Sequence, residues 1–198
     1  MNFATHPATA GVTAQWRVEE GEPLQRLAFH ARHSDLTVMG RAETPDGLPF
    51  DRLENVLVES GRPMLIAASG TPKPLLRTVM VCWRETPHAA RAVSAALPLL
   101  SRAERVVVGS VTETGNPNAE GVPDLIHDLQ WHGMEVDPCV SPLGGISVPD
   151  RLSRMAGECG ASLMVMGGYS RSPMRELMFG GCTQAVLEAC ERPVFLLH

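Results

Sequence analysis

The chain has 198 residues, of which 44% are hydrophobic and 20% charged, and its formal net charge is −5. These fractions are close to globular averages and exclude disordered, collagen-like and coiled-coil proteins. The acidic balance argues against a nucleic-acid binder, since such proteins usually carry a surplus of Lys and Arg. The length suits one large core, although it is long for a single compact domain.

The N-terminal residues and the cysteines predict a cytoplasmic protein. Residues 1–11 show no basic stretch followed by an apolar run, so we expect no signal peptide. No apolar run approaches the ~18 residues of a membrane helix, and no membrane contact is expected. The five cysteines include no C-x-x-C pair, which favours reduced thiols over a disulfide framework or a zinc site.

From about residue 76 onward, short β-branched runs alternate with helical patterns. Strands are predicted at 78–82, 105–111, 135–140, 163–166 and 193–197. Helices are predicted from Pro87 after an N-cap at Thr86, with residues 90, 93, 97 and 100 facing inward, and at 123–132, 149–159 and 183–190. This alternation predicts an α/β fold with a parallel, five-stranded, doubly wound sheet.

Two blocks of the sequence occur twice at nearly equal offsets. SDLTVMG at 34–40 resembles ASLMVMG at 161–167, and GRPMLIA at 61–67 resembles ERPVFLL at 191–197. Such repetition indicates tandem duplication, with 1–70 as the back half of a first repeat and 71–198 as a complete second one. The partial repeat would contain a strand at 13–18 and a helix at 23–33. We expect 36–40 and 64–67 to pair with the edge of the complete unit, and 1–20 to be loose, repositioned or completed by another chain.

The candidate ligand site lies at the carboxyl ends of the predicted strands, where a parallel sheet binds its ligands. One loop follows the strand at 78–82 and contains Trp83, Arg84 and Glu85, and another runs from 166 to 183. Small residues in the second loop let the backbone approach a ligand, and the helix that follows has free N–H groups suited to a phosphate. The alternative is that its glycines only make tight turns. The residues of these two loops that could lie against such a ligand are Arg84, Met166, Gly167, Ser170, Gly180, Gly181, Cys182 and Thr183.

Two stretches of the sequence resemble universal stress proteins (UspA-like domains). They are LMVMGGYSRSPMRELMFGGCTQAVLEACERPVFLLH at 163–198 and VMVCWRETPHAARAVSAALPLL at 79–100. The resemblance covers 76–198 as a whole domain and 12–70 as the back half of another. It implies a flavodoxin-like or Rossmann-like sheet with strand order 3-2-1-4-5, and two domains paired along their last strands.

The ATP-binding branch of that family carries G-x-x-G, nine residues, and then G-S or G-T. In this chain Gly167 takes the first glycine, Ser170 stands at the second, Gly180 takes the third, and Gly181 replaces the hydroxyl residue. Thr183 could partly substitute for that hydroxyl. The branch also has an acidic residue after its first strand, where this chain has Arg84 followed by Glu85. These departures weaken ATP binding without excluding it, and the first repeat lacks the motif altogether.

Other catalytic and metal-binding arrangements find less support. Zinc needs three or four converging ligands, and the helical histidines 30, 33, 127 and 132 have no carboxylate or third ligand at a useful spacing. The sequence lacks the G-x-S-x-G of a hydrolase and the G-x-G-x-x-G of a flavin or nicotinamide enzyme after its first strand. Cys182 near a helix N-terminus would have a stabilised thiolate and a redox role, or would simply be a small buried residue in a turn.

The sequence therefore favours a non-catalytic, universal-stress-type protein that acts by dimerisation and by contact with an unknown protein partner. The dimer would be a homodimer or a pseudo-dimer through the last strands, and the nucleotide cleft would be degenerate. The alternative is an ATP-binding switch or slow ATPase that uses the loop at 167–183. We expect no catalytic residue, no metal and no nucleic-acid partner, and ATP is the one cofactor that the motif suggests.

Overall fold

The structure is a computed structural model that describes residues 11–40, 50–68, 74–118, 121–168, 180–189 and 191–198. Its strands are β1 Thr37–Met39, β2 Met64–Ile66, β3 Thr78–Cys82, β4 Arg105–Thr112, β5 Val136–Pro142, β6 Leu163–Gly167 and β7 Val194–Leu197. Its helices are α1 Pro23–Arg32, α2 Phe50–Ser60, α3 Pro87–Leu100, α4 Val122–Trp131, α5 Val148–Glu158 and α6 Gly180–Ala189.

Capping residues begin the helices where the sequence predicts. The hydroxyl of Thr86 accepts a hydrogen bond from the Ala89 N–H (3.2 Å) at the start of α3, and Pro87 follows as the first helical residue. A proline there costs no hydrogen bond, because the first N–H groups of a helix have no partner within it. The predicted helices are confirmed within one or two residues, except that α6 begins three residues earlier and α2 was not predicted.

The buried face of α3 differs from the predicted one. Its buried residues are Ala89, Ala92, Val93, Ala96 and Leu100. Ala90 is exposed, so the predicted face is wrong at this position, whereas Leu97 is partly buried and packs against the core as predicted. The small alanine side chains let α3 lie close to the sheet. The alanine row faces inward because this close approach buries more of the helix surface.

The described strands form one seven-stranded sheet in the order β1-β2-β7-β6-β3-β4-β5. From β5 to β7 every pair is parallel, and this part has the expected order 3-2-1-4-5. The prediction of a five-stranded parallel sheet is nevertheless wrong, since β2 pairs antiparallel with β7 and β1 continues beyond it. The edge of β7 offers unpaired backbone groups, and β2 satisfies them, as we expected for residues 64–67.

Residues 13–18 form no strand, contrary to the prediction. The whole stretch 11–20 is exposed, and Trp16 retains 89% of its exposure. A strand needs a neighbour that accepts and donates its backbone hydrogen bonds, and no described strand pairs with this stretch. The segment therefore does not form the strand that the predicted partial repeat assigns to it.

Helices cover both faces of the sheet. Residues of α3 and α4 pack against one face, and residues of α1, α2, α5 and α6 against the other. The consecutive valines 106–108 of β4 are all buried, as expected for a parallel strand covered on both sides. Within the described ranges no helix is long and apolar enough to cross a membrane.

Hydrogen exchange tests this arrangement. The amides of residues 12–20 should exchange at nearly the rate of an unfolded chain, because they are exposed and lie outside the sheet. The amides of β6, which is bonded to β3 and β7, should be protected nearly to the level of global unfolding. Equal protection of 12–20 and of β6 in a monomer would contradict the described arrangement.

Candidate functional site

The order of the strands reverses between β3 and β6, and the candidate site lies at their carboxyl ends. The two strands are parallel neighbours, with Cys82 opposite Met166 at the end of the ladder. The loops that begin at Trp83 and after Gly167 therefore leave the sheet side by side. This is the switch point at which a doubly wound sheet binds its ligands, and it lies where the sequence predicted.

Gly167 is required by the packing of α3. A Cβ atom on Gly167 would lie 2.7 Å from the carbonyl carbon of His88 and 2.8 Å from the Ala89 nitrogen, distances that real Cβ atoms do not show. The first turn of α3 thus lies directly against the end of β6. The glycine that matches the first position of the nucleotide motif has a structural role that is independent of any ligand.

Two other candidate residues point into the protein. Met166 is 6% exposed, and its side chain belongs to the apolar layer beneath α5 and α6. Thr183 is 3% exposed, so its hydroxyl lies in the interior and is poorly placed to replace a hydroxyl at the surface.

Gly180 and Gly181 form the first turn of α6, and a Cβ atom on Gly181 would meet nothing within 4 Å. Ser170 and the spacer 171–179 lie outside the described residues.

Arg84 and Cys182 bring the two loops together. The guanidinium of Arg84 lies close enough to the Cys182 thiol to lower its pKa, but the effect of burial is larger and raises the pKa above 9.0. The thiol is therefore protonated at neutral pH. Of the two alternatives for Cys182, this favours a small, partly buried residue over a stabilised thiolate, because desolvation outweighs the nearby cation.

Glu85 is directed away from β6. A Cβ atom on Gly121 would lie 3.2 Å from Oε2 of Glu85 and 3.8 Å from Nε1 of Trp83. Gly121 precedes α4 in a left-handed conformation (φ +64°), so these side chains contact the loop that follows β4. The carboxylate nearest to the place of the family's acidic residue thus lies on the side of β3 opposite to α6.

A pair of histidines that the sequence analysis did not consider borders the site. The rings of His88 and His198 are stacked, with their centroids 4.9 Å apart. His198 Nδ1 donates to the Gly168 carbonyl (3.2 Å), and Arg91 donates to His88 Nδ1 (2.9 Å). Burial lowers the pKa of His88 below 6.5, and the nearby His198 and Arg91 lower it further, in that order of size. No sequence signal marks this pair, because its members are 110 positions apart.

Of the histidines considered as metal ligands, His30 and His127 lie on α1 and α4, and His33 and His132 follow the last residues of these helices. Nε2 of His30 lies 2.9 Å from Oε1 of Glu19, a contact between distant positions that the sequence did not predict. Among the described residues, however, no group of three or more His, Cys, Asp or Glu side chains could hold a metal ion.

An open cavity of about 340 Å³ lies along α1 and is separate from the switch point. It is lined by Gly21, Glu22, Gln25, Arg26, Phe29 and Arg32.

Known structures share this fold. The chain is similar to a universal stress protein from Archaeoglobus fulgidus, with a TM-score of 0.69 and 19% identity over 89% of this chain and 65% of that one. It is also similar to a candidate universal stress protein from Pseudomonas aeruginosa (TM-score 0.57, 13% identity, 90% and 69% of the two chains). The hypothetical protein MJ0577 aligns with 63% of this chain over 96% of its own length, with a TM-score of 0.52 and 16% identity.

These similarities establish the fold, which is that of universal stress proteins. The chain spans 65% of the length of the Archaeoglobus fulgidus protein. No protein-family model matches the chain, and no curated protein matches it. Function is a separate question, because one fold supports many activities.

Substitution of two motif glycines distinguishes packing from ligand binding. Gly167→Ala should destabilise the protein by about 3 kcal/mol, since its neighbours are backbone atoms that cannot move aside. Gly181→Ala is the matched control and should be neutral or stabilising by up to about 1 kcal/mol, because its Cβ is unobstructed in a helix. Urea unfolding measures both, and a neutral Gly167→Ala variant would contradict the contact with α3.

The lowered pKa of His88 makes the free energy of unfolding decrease at acidic pH. The unfolded chain binds a proton at this residue near 6.5, and the folded protein only at lower pH. The neutral ring is thus favoured by folding, so its contribution is complete above pH 6.5 and decreases as the pH falls below it. His88→Gln should lose less stability than the wild type between about pH 7 and pH 5.5. His127→Gln, on the exposed side of α4, should follow the wild-type curve in the same urea titrations.

Proposed function

We propose that this is a universal-stress-type protein that has no catalytic activity and acts by binding. The fold shared with universal stress proteins and the motif resemblance at 79–100 and 163–198 support this proposal. The observation that carries it is the packing at the switch point. The absence of a side chain at Gly167 makes room for the first turn of α3, and the side chains of Met166 and Thr183 point inward. Glu85 faces Gly121, so the described motif residues leave a degenerate nucleotide cleft.

The pairing of β2 with β7 supports association along the last strand within one chain, in preference to a homodimer formed through that strand. Last-strand pairing is the contact that the family resemblance implies between two domains. In this chain β2 already occupies the outer edge of β7, with Leu65 opposite Phe195. A second copy could reach that edge only by displacing β2, which is buried at all three positions. We therefore propose that the pairing is made within the chain and that an unknown protein partner binds elsewhere.

The alternative function is an ATP-binding switch or slow ATPase that uses the loop at 167–183. One observation favours it. Arg84 lies near enough to α6 to act electrostatically on Cys182, and a cation near a helix N-terminus suits a phosphate. Arg84 would then face the phosphates, and the backbone of Gly180 and Gly181 would donate hydrogen bonds to them.

Nucleotide binding separates the two functions. The purified protein is denatured, and any released ligand is identified by mass spectrometry; separately, its Tm is measured with millimolar ATP and Mg²⁺. Binding at 100 times Kd would stabilise the fold by about 2.7 kcal/mol and raise Tm by several degrees. The proposal predicts no released nucleotide, no shift and no ATP hydrolysis.

A pair of arginine variants locates the site if a shift is found. Arg84→Ala should abolish the shift under the alternative, because its guanidinium stands beside α6. Arg102→Ala removes the same charge from the exposed loop after α3 and should leave the shift unchanged. A shift that depends on Arg84 would overturn the degenerate cleft and establish the nucleotide switch.

A further inference from the structure

Three sulfur atoms lie together on one face of the sheet, apart from the switch point. Met80 is on β3, Cys139 on β5, and Cys159 follows the last residue of α5. The Sγ atom of Cys159 lies 3.9 Å from the Sδ atom of Met80. All three side chains belong to the same apolar layer, in which Met80 is fully buried and the two cysteines are half-buried.

Gly109 provides the space that places Met80 beside Cys139. Gly109 is directly opposite Cys139 on the neighbouring strand, so the two residues present the same face of the sheet. A Cβ atom on Gly109 would lie 2.6 Å from Cε and 3.3 Å from Sδ of Met80. The thioether of Met80 therefore lies over Gly109, whose neighbour on the next strand, about 4.8 Å away between backbones, is Cys139. Its sulfur contacts the Cys159 thiol on one side and faces the strand that carries Cys139 on the other.

We propose that Cys139, Cys159 and Met80 form a binding site for a soft monovalent metal ion, Cu(I). Thiolate and thioether donors select Cu(I) over harder divalent ions, and a site of this kind needs no histidine or carboxylate. The search for groups of His, Cys, Asp and Glu therefore does not detect it among the described residues. The site is distinct from the candidate nucleotide cleft and independent of the proposed function.

The proton and charge balance of binding is straightforward. One Cu(I) replaces one proton on each thiol, so two Cu–S bonds form with Cys139 and Cys159, two protons pass to solvent, and Met80 donates a lone pair without losing a proton. No redox step is involved. The bound unit carries one negative charge, and the oxidation state of copper is unchanged.

Charged side chains lie around the two thiols. The charged groups that act on the two thiols are Arg105, Arg151, Arg192 and Glu158. The arginines are held in position, Arg105 by Asp137 (2.7 Å), Arg151 by the Ser141 hydroxyl and Arg192 by the Ala161 carbonyl (2.9 Å). Three arginines and two carboxylates, Glu158 and the Asp137 that pairs with Arg105, therefore surround the two thiols.

Anaerobic titration with Cu(I) in competition with a chromophoric Cu(I) chelator tests the proposal. The full-length wild type should bind one equivalent and compete with the chelator. Cys139→Ser and Cys159→Ser should each lose at least about 10- to 100-fold in affinity, the loss that even outer-shell changes commonly cause. Cys182→Ser is the matched control and should bind like the wild type, since Cys182 lies at the start of α6.

Met80→Leu keeps the packing volume and tests the third ligand without threatening the fold. It should bind Cu(I) more weakly, and X-ray absorption should show one sulfur neighbour fewer than in the wild type. No competition by the wild type would overturn the proposal, and so would equal binding by Cys139→Ser and Cys159→Ser. Sulfur coordination that is unchanged in Met80→Leu would remove Met80 from the site. Formation of a Cys139–Cys159 disulfide in air with no Cu(I) binding under nitrogen would replace the metal site with a redox pair.

Discussion

Backbone pairing along both edges of β7 joins residues 23–66 to the rest of the sheet. On one side β7 continues the parallel sheet from β6, and on the other it pairs antiparallel with β2. Without this second pairing, β1 and β2 would be a pair of three-residue strands with no sheet to extend, and such pairs are not stable alone. The pairing also brings α1 and α2 onto the face that α5 and α6 cover, so their buried residues Ala31, Leu53, Val56 and Leu57 join an existing core instead of forming their own.

Small residues decide how closely the layers approach each other. The alanines of α3 and the missing side chain of Gly167 let the helix rest on the end of β6. The missing side chain of Gly109 lets the Met80 thioether cross towards the neighbouring strand. Interiors are packed at nearly crystalline density, so an added Cβ at either glycine must displace something. At Gly167 that something is backbone, and the geometry of the switch point therefore depends on this one residue.

The site shows why a glycine motif is weak evidence of a ligand. Of the motif residues that the structure describes, Gly167 serves helix packing, the side chains of Met166 and Thr183 point inward, and Arg84 acts electrostatically on Cys182 near the start of α6. A cation near a helix N-terminus is an arrangement that suits a phosphate. The stacked histidines at its border add a proton-sensitive contact between α3 and the end of β7.

The sequence by itself determined the elements from β3 to β7 and their succession along the chain, because hydrophobic periodicity and caps are local signals, whereas the order of the strands in the sheet was expected only from the family resemblance. It also placed the candidate site at the ends of β3 and β6. Only the tertiary structure decided that β2 would run antiparallel to β7, that 13–18 would form no strand, and which way Met166, Glu85 and Cys182 would face. These outcomes depend on which backbone edges are free and on desolvation, and both are properties of the assembled sheet and helices that no short stretch of sequence contains.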